Sequence, residues 1–305
     1  MRPRLSLFAL LLLSACAIRK DYLPETSDTG DTGDDGGTED GGGDDGGIDG
    51  DGGGDGGSDG GDDGGGGGST GGDSCPNLYH PLDESGWSKT FSASFSGSGG
   101  TAESGTATEQ GLGARTLPDG SAGWAYKDTT TTAGESYDVT TYVGCNLSGD
   151  EGMFIVGWDG TYTMLVGGFY AMSYSVEASL SSPRKYLPAG GEIGAVGAWS
   201  FNYTLSVQAT DAEGAVTSNP YSMAGDYTEG GFTSLTLFDG TTVNAYRLIN
   251  IYSKVDNTGK TVNGYIEQHW VKGLGLVKET HVDADTGATI ASKTLTAYSG
   301  LSVIP

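Results

Sequence analysis

Positive charge is scarce in this chain, and it is missing altogether from a long stretch near the N terminus. The 305 residues include 15 Lys and Arg against 40 Asp and Glu, so the formal net charge is −25. Between Asp21 and Ser74 there are 15 Asp, 2 Glu and no basic residue. Because nucleic acids are bound by clusters of Lys and Arg, this balance excludes a nucleic-acid partner.

The chain also lacks an apolar run long enough for a transmembrane helix, which needs about 20 residues. Its first 15 residues instead follow the pattern of a secretory signal peptide. Arg2 and Arg4 precede an apolar run over residues 5–13, and Ser14 and Ala15 supply a small-residue cleavage site. We therefore expect residues 1–15 to be removed on export.

The signal peptide ends in Leu13-Ser14-Ala15-Cys16, which resembles the lipobox of bacterial lipoproteins. The resemblance implies a diacylglycerol on Cys16, cleavage before it, and a third acyl chain such as palmitate on the new amine. Ala17 at the next position implies transport to the outer membrane. Several acyl chains anchor a protein stably where a single chain is marginal. The alternative is an ordinary secretory signal with an incidental cysteine.

Residues 16–74 have almost no apolar side chains to bury, since the segment is nearly all Gly, Asp, Ser and Thr after Pro24. Such a chain cannot offset the entropy of ordering, so we predict a disordered, acidic linker. Its Asp-Gly repeats superficially resemble calcium loops, but calcium sites need fixed ligand spacing. The Asp spacing here is irregular, so specific calcium binding is not predicted.

Long helical periodicity is absent from Cys75 onward, and the pattern is typical of an all-β region. Strand-like alternation covers residues 199–209, 244–255, 265–271 and 276–282. Hairpin turns are predicted at Asp159-Gly160, Asp211–Gly214, Asp256–Gly259 and Asp285–Gly287. Connections this short favour antiparallel meanders over parallel units with crossover helices.

An internal repeat links residues 116–126 with residues 236–246, which share a Thr-Leu-x-Asp-Gly turn. Neighbouring Tyr-x-Pro and Trp-Ser elements recur in the same order. We predict two tandem, duplicated, curved antiparallel sheets of half-barrel form, covering residues 75–180 and 183–305. Ser182–Lys185 is interpreted as the linker between them. The alternative is that Asp-Gly turns and Tyr-rich strands recur by composition.

The second repeat is similar to a module of secreted bacterial proteins and lipoproteins to which no activity is assigned. The similarity rests on Tyr186-Leu187-Pro188 at the start and on the run from His269 to Glu279 at the close, HWVKGLGLVKE. The resemblance implies an antiparallel meander and no particular chemistry. A weaker resemblance links it to the half-barrels of periplasmic lipid-carrying lipoproteins.

Catalytic and metal-binding patterns are not found, so no catalytic residue, metal ligand or cofactor is predicted. His80, His269 and His281 are far apart and lack the spacing of metal ligands. Glu267 with Lys278, and Lys272 with Glu279, are interpreted as exposed cross-strand charge pairs.

Cysteine is rare, with three residues in the chain. If lipid occupies Cys16, the pair that remains is Cys75 and Cys145, in a region exported beyond the reducing cytoplasm. We predict a disulfide between them, which would fasten the start of the folded region. The alternative is two buried free thiols.

Three functional hypotheses follow. The first is a non-enzymatic interaction module of the cell envelope, anchored to the outer membrane through Cys16, with an envelope protein as partner. The second is a carrier or chaperone for an apolar ligand in a half-barrel cavity. The third, ranked last, is an enzyme such as a hydrolase. The sequence leaves open which face of the outer membrane the folded region occupies.

Overall fold

A computed structural model describes residues 78–96, 102–133, 135–147, 150–166, 170–189, 193–212, 214–255 and 259–304. The predicted signal peptide, Cys16, the predicted linker and Cys75 lie outside these ranges. The described part is all-β, as predicted.

Twelve antiparallel strands form a closed barrel in which each strand pairs with its neighbours in sequence and β1 pairs with β12. The predicted pair of half-barrel sheets is therefore wrong. The sixth and seventh strands also pair, so both potential seams are closed by hydrogen bonds. The strands are β1 (Ser85–Ser96), β2 (Ala102–Thr116), β3 (Ala122–Thr131), β4 (Glu135–Cys145), β5 (Met153–Val166), β6 (Tyr170–Leu187), β7 (Ala198–Thr210), β8 (Val216–Thr236), β9 (Thr242–Val255), β10 (Thr261–Val271), β11 (Gly275–Asp283) and β12 (Thr289–Ser299).

Side-chain alternation explains why the strands close around one core. On β1 the odd-numbered positions from Trp87 to Phe95 are buried, including Lys89, while the even-numbered positions between them carry Ser and Thr. Successive side chains of a strand point to opposite faces, so one face of β1 lines the interior and the other faces outward. The buried apolar cluster includes residues from all twelve strands.

Hydroxyl groups line part of the outer face of the barrel. Ser88 Oγ lies 2.9 Å from Ser299 Oγ, and Ser94 Oγ lies 2.9 Å from Ser292 Oγ, both between β1 and β12. Cross-strand hydroxyl pairs of this kind add to sheet stability. They support the β1–β12 closure from the outside.

Residues 78–84, called the plug here, close one end of the barrel. His80 has ring contacts with Trp87, Tyr126, Tyr186 and Trp270, which come from β1, β3, β6 and β10. A single side chain therefore touches strands from around the barrel. The Gly273 N–H donates to Leu78 O at 2.7 Å, which fixes the plug to the β10–β11 turn.

The same β10–β11 turn also holds the C terminus, because the Ile304 N–H donates to Lys272 O at 3.0 Å. Gly273 has φ of +81°, and a Cβ there would lie 2.1 Å from Ser302 O. Glycine is required at this position by both the backbone angle and the close approach of the C-terminal segment.

The two repeated turns have the same geometry and the same place in each half of the barrel. Each joins the second and third strands of a six-strand half, β2 to β3 and β8 to β9. The Ser121 N–H donates to Asp119 Oδ1 and the Thr241 N–H to Asp239 Oδ1, both at 2.9 Å. Gly120 has φ of +86° and its counterpart Gly240 has φ of +83°.

Two local sequence predictions are wrong. Asp159-Gly160 lies inside β5 and not in a turn, and Ser182–Lys185 lies inside β6 and not in a linker. A Cβ at Gly160 would lie 2.1 Å from Asp138 O, so the glycine serves a close approach between β5 and β4. The predicted turn at Asp211–Gly214 does join β7 and β8.

Candidate functional site: a buried charge cluster

The predicted lipidation and disulfide sites fall largely outside the described residues. Cys16 and Cys75 both lie outside them. Cys145 ends β4, is half-buried and is disulfide-bonded. The identity of its partner falls outside the described ranges, so the Cys75–Cys145 bond stays a prediction.

The three histidines occupy separate environments. His80 lies in the plug, His281 is buried on β11, and His269 on β10 is 3.5 Å from Glu267 Oε1. No group of three or more His, Cys, Asp or Glu side chains in the described ranges could hold a metal ion.

A run of polar side chains crosses six neighbouring strands inside the barrel, from β10 through β12 and β1 to β3. We call these residues the charge cluster. Each is at most 8% exposed, although charged side chains are almost never fully buried unless they are paired. The members are Lys89, Glu109, Asp128, Gln268, Glu279, His281 and Lys293.

The first row of the cluster lies on β1, β2 and β3. Lys89 is directly opposite Glu109, which in turn is directly opposite Asp128. Directly opposed residues share one face of a sheet, so all three side chains enter the interior. Lys89 Nζ lies 2.6 Å from Glu109 Oε1, and these side chains are 0% and 4% exposed.

The second row lies on β10, β11 and β12, where Gln268 is opposite Glu279 and Glu279 is opposite Lys293. Gln268 Nε2 donates to Glu279 Oε2 at 2.6 Å, and His281 Nε2 lies 2.8 Å from Glu279 Oε1. Lys293 Nζ is 3.9 Å from the same Oε1. The Glu279 carboxylate is thus surrounded by three partners.

Burial and charge pairing act in opposite directions on these groups. Burial alone would raise the pKa of Glu279, but Lys293, His281 and the hydrogen bonds outweigh it and lower that pKa to about 2. Burial raises the pKa of Asp128 to about 8, against the opposing effect of Lys293. Asp128 is therefore a neutral acid near pH 7.

The same two opposing effects act on the pKa values of Lys89, Lys293 and Glu109. Burial lowers the pKa of Lys89 in spite of Glu109, whereas Glu279 and Asp128 outweigh burial and raise the pKa of Lys293. Burial opposes the shift at Glu109, but Lys89 and Lys293 together with the hydrogen bond from Lys89 lower its pKa. Glu109 and Glu279 thus face Lys89 and Lys293 in the barrel.

The plug adds a neutral imidazole to the edge of the cluster. Burial lowers the pKa of His80 to about 3, although Glu109 opposes the shift. Its Nδ1 lies 2.8 Å from the Tyr186 hydroxyl, and its Nε2 lies 3.8 Å from Glu109 Oε1. His80 therefore connects the first row to the aromatic side of the interior.

Sequence reasoning missed the first row and misplaced part of the second. Glu279 is buried, so its assignment to an exposed pair with Lys272 is wrong, and Glu267 pairs with Arg247 at 3.0 Å and not with Lys278. A signal for the first row was present. Lys89 is in phase with Trp87 and Phe91, so strict alternation places its side chain inside.

Comparisons with known proteins find two solved structures of low identity to this chain. No family model and no curated protein matches the chain. It is similar to the crystal structure of a predicted lipoprotein of Parabacteroides distasonis, with 15% identity and TM-score 0.37 over 71% of this chain and 96% of that one. It is also similar to a predicted exported protein with a YmcC-like fold from Bacteroides fragilis, with 9% identity and TM-score 0.38 over 71% and 97%. In the described ranges no helix has the length and apolarity needed to cross a membrane.

Proposed function

We propose that this protein is an outer-membrane lipoprotein that presents a folded barrel, at the end of an acidic linker, as a non-enzymatic interaction module. The proposed location at the outer membrane rests on the signal peptide pattern and on Cys16 at the end of the lipobox. The linker composition favours a spacer between the lipid anchor and the barrel.

The observation that carries the interaction role is the occupied interior of the barrel. Its core includes side chains from all twelve strands, and the plug places His80 among four aromatic rings. With the interior used for packing and charge pairing, recognition falls to the outer surface.

Apolar side chains exposed at the plug end supply a candidate contact surface. Leu78 is in the plug, Ile304 is held by the β10–β11 turn, and Phe238 is in the β8–β9 turn. Each is at least 36% exposed. Exposed apolar groups of this size are typical of protein contact surfaces when they cluster.

The carrier hypothesis has less support in the form predicted from the sequence, a cavity on the concave side of an open half-barrel. The described strands instead close into a barrel through β1 and β12. An apolar guest would also have to share the interior with the charge cluster, whose groups need polar partners.

The anchor is tested by fractionating cells that produce the wild type, Cys16→Ser or Cys145→Ser. We expect the wild type and Cys145→Ser in the outer-membrane fraction, with acyl chains detectable by mass spectrometry. Cys16→Ser should be soluble or remain uncleaved. If Cys16→Ser fractionates with the outer membrane in its processed form, the lipid anchor is wrong.

A further inference from the structure

The ladder of backbone hydrogen bonds between β6 and β7 is shorter than the two strands that form it. It pairs residues 175–180 with residues 205–210, so residues 198–204 of β7 have no ladder partner on β6. On their other side these residues stay paired with β8. We call residues 181–187 of β6 and 198–204 of β7 the open seam.

Two hydroxyl groups of β6 take the place of backbone partners in the open seam. The Thr204 N–H donates to Ser181 Oγ at 2.8 Å, and the Ser182 hydroxyl donates to Asn202 O at 3.2 Å. The N–H and C=O of every second residue in a strand point to the same side, so those of Ser200 also face β6. The edge of β7 therefore presents a row of main-chain donors and acceptors to the open seam.

Residues 181–183, which lie opposite this edge, have no ladder partner on either neighbouring strand. The register between β5 and β6 shifts here and leaves residues 180–183 unpaired on the β5 side. Pro183 has no N–H to donate, and proline inside a strand is typical of an edge or a bulge. Residues 181–183 are also exposed, so an incoming segment can reach the open seam from outside the barrel.

The equivalent seam in the other half of the barrel is filled by a strand. β7 corresponds to β1, because Trp199-Ser200 matches Trp87-Ser88 in the internal repeat. On β1 the ladder with β12 extends to Ser88, which lies opposite Ser299. The part of the edge that is open on β7 is thus paired on β1 with an extended segment of backbone.

We propose that the edge of β7 binds an extended polypeptide segment of a partner protein, which joins the barrel wall as a strand along residues 198–204. The inference deepens the proposed interaction role and rests on it. The segment replaces the contacts of Ser181 and Ser182 with main-chain hydrogen bonds. In strand addition, such bonds supply affinity and alternate side chains supply specificity.

The strand that fills the equivalent seam indicates the chemistry of the partner segment. β12 has Ser292 and Thr294 on its outer face, and Ala291 and Leu295 on its inner face. The outward positions of β7 in the open seam are likewise Ser, Asn and Thr. Cross-strand hydroxyl pairs stabilise neighbouring strands, so a segment that alternates Ser or Thr with apolar residues fits this edge.

Fluorescence anisotropy of a labelled synthetic peptide tests the proposal. The peptide, TIASATLTAYS, is the β12 sequence with alanine in place of Lys293. The protein is the full-length mature chain with Cys16→Ser. We expect saturable binding, weaker by about tenfold or more for a scrambled peptide of the same composition. Absence of saturable binding, or equal binding of the scrambled peptide, overturns the proposal.

Backbone methylation of the peptide distinguishes strand addition from other modes of binding. Alternate N–H groups of a strand point to opposite sides, so one set faces β7 and the other faces away. N-Methylation of the first set should abolish binding, whereas N-methylation of the second should change the affinity by about twofold or less. Loss of binding in both methylated peptides, or in neither, contradicts strand addition.

Substitutions at Asn202 locate the binding edge. Asn202→Pro removes an N–H that faces β6 and should weaken peptide binding by about tenfold or more. Asn202→Thr keeps the N–H and is the matched control, with unchanged binding. Both variants are checked for folding by circular dichroism. A folded Asn202→Pro chain that binds the peptide as tightly as wild type contradicts the assignment to β7.

The double variant Ser181→Ala, Ser182→Ala tests the displacement of the two hydroxyl contacts. It should bind the peptide more tightly than wild type, because these contacts no longer compete with the incoming strand. Binding no tighter than wild type contradicts the displacement. The lipid anchor is decided separately by the fractionation of Cys16→Ser, so an anchored chain that binds no peptide rejects strand addition and leaves the proposed location standing.

Discussion

The two sides of the barrel bury positive charge in different ways. On the side formed by β10–β12 and β1–β3, Lys89 and Lys293 face the carboxylates Glu109 and Glu279. Those two lysines also approach rings, Lys89 Nζ at 5.1 Å from the centre of Trp87 and Lys293 Nζ at 5.3 Å from that of Phe91, but a shorter ring contact lies on the side formed by β4–β9. Lys254 Nζ is 4.0 Å from the ring centre of Tyr221, and the Arg184 guanidinium is 5.8 Å from that of Phe201.

Because of this difference, burial of a charged side chain does not by itself determine how much stability is lost when that side chain is replaced. A buried ion pair gives little net stability but is costly to break, because removal of one partner leaves the other charged and unpaired. A cation on a ring leaves behind an ordinary apolar surface when it is removed. The charged side should therefore be far less tolerant of single substitutions.

The largest effect is expected for Lys293→Met, which leaves Glu279 without its cation. We expect the free energy of unfolding to fall by about 3–5 kcal/mol, as measured by urea titration. The double variant Lys293→Met, Glu279→Gln should recover most of that loss, because no unpaired charge remains and the amide oxygen can still accept a hydrogen bond from Gln268. A double variant as unstable as the single one would show that volume, and not charge, decides the result.

The next effect is a loss of stability in acid, carried by His80 between the two sides. An unfolded histidine takes up a proton below about pH 6.5, whereas burial lowers the pKa of His80 to about 3 in the fold. The unfolded state thus binds more protons between these values, and stability falls as pH falls through that window. His80 alone contributes a slope of about 1.4 kcal/mol per pH unit, and Asp128, whose pKa is raised to about 8, contributes in the opposite direction over the same window.

His80→Gln should lower the slope of stability against pH by about 1.4 kcal/mol per pH unit between pH 6.5 and 4.5, as measured by urea titrations at several pH values. Below pH 4.5, Glu279 acts in the same direction, because its pKa of about 2 lies below that of an unfolded carboxylate. His269→Gln is the matched control and should change the slope less, since Glu267 Oε1 lies 3.5 Å from His269 Nε2 and opposes the lowering of its pKa by burial. An unchanged slope in His80→Gln would contradict the assignment.

A smaller effect is expected on the aromatic side for Lys254→Met. The apolar stem is retained, and the lost contact of the ammonium with the Tyr221 ring accounts for about 1–2 kcal/mol of the cost. A loss as large as that of Lys293→Met would erase the contrast between the two sides.

The smallest effects belong to the outer surface, where the two halves carry equivalent ion pairs. Lys127 pairs with Asp138 between β3 and β4 at 2.8 Å, and Arg247 pairs with Glu267 between β9 and β10 at 3.0 Å. Asp138→Asn and Glu267→Gln should each cost about 0–1 kcal/mol in urea titrations. Unequal costs, or a cost near that of Lys293→Met, would contradict this equivalence.

Local patterns predicted the strands well. The alternation over residues 199–209 lies within β7, and the repeated Asp-Gly turns join equivalent strands. Closure could not be predicted in the same way, because the pairing of β1 with β12 joins residues about 200 positions apart. Each half has the same alternation whether its edge strands stay free or pair with the other half.

The candidate site was hidden for a related reason. The alternation of each strand places the side chains of Lys89 and Glu109 inside the barrel. That the two residues lie opposite each other follows only from the register between β1 and β2. A single charged residue at an inward-facing position of a strand does not show whether it is buried in an ion pair until the neighbouring strand and its register are known. The plug was also hidden, since residues 78–84 have no strand pattern to place them.

The central claim is that the barrel interior is occupied by the protein's own side chains and that recognition belongs to the outer surface. Some polar atoms inside, such as Thr141 Oγ1 and Trp158 Nε1, find no hydrogen-bond partner within the described residues. An ordered water can satisfy such groups, and so could a guest molecule. The interior is therefore the place where the claim can fail.

Native mass spectrometry of the detergent-purified lipoprotein tests this claim most directly. The account predicts the mass of the acylated chain alone, with nothing lost when the protein is denatured. A stoichiometric apolar molecule that stays bound in the native spectrum and leaves on denaturation would contradict it and support the carrier hypothesis.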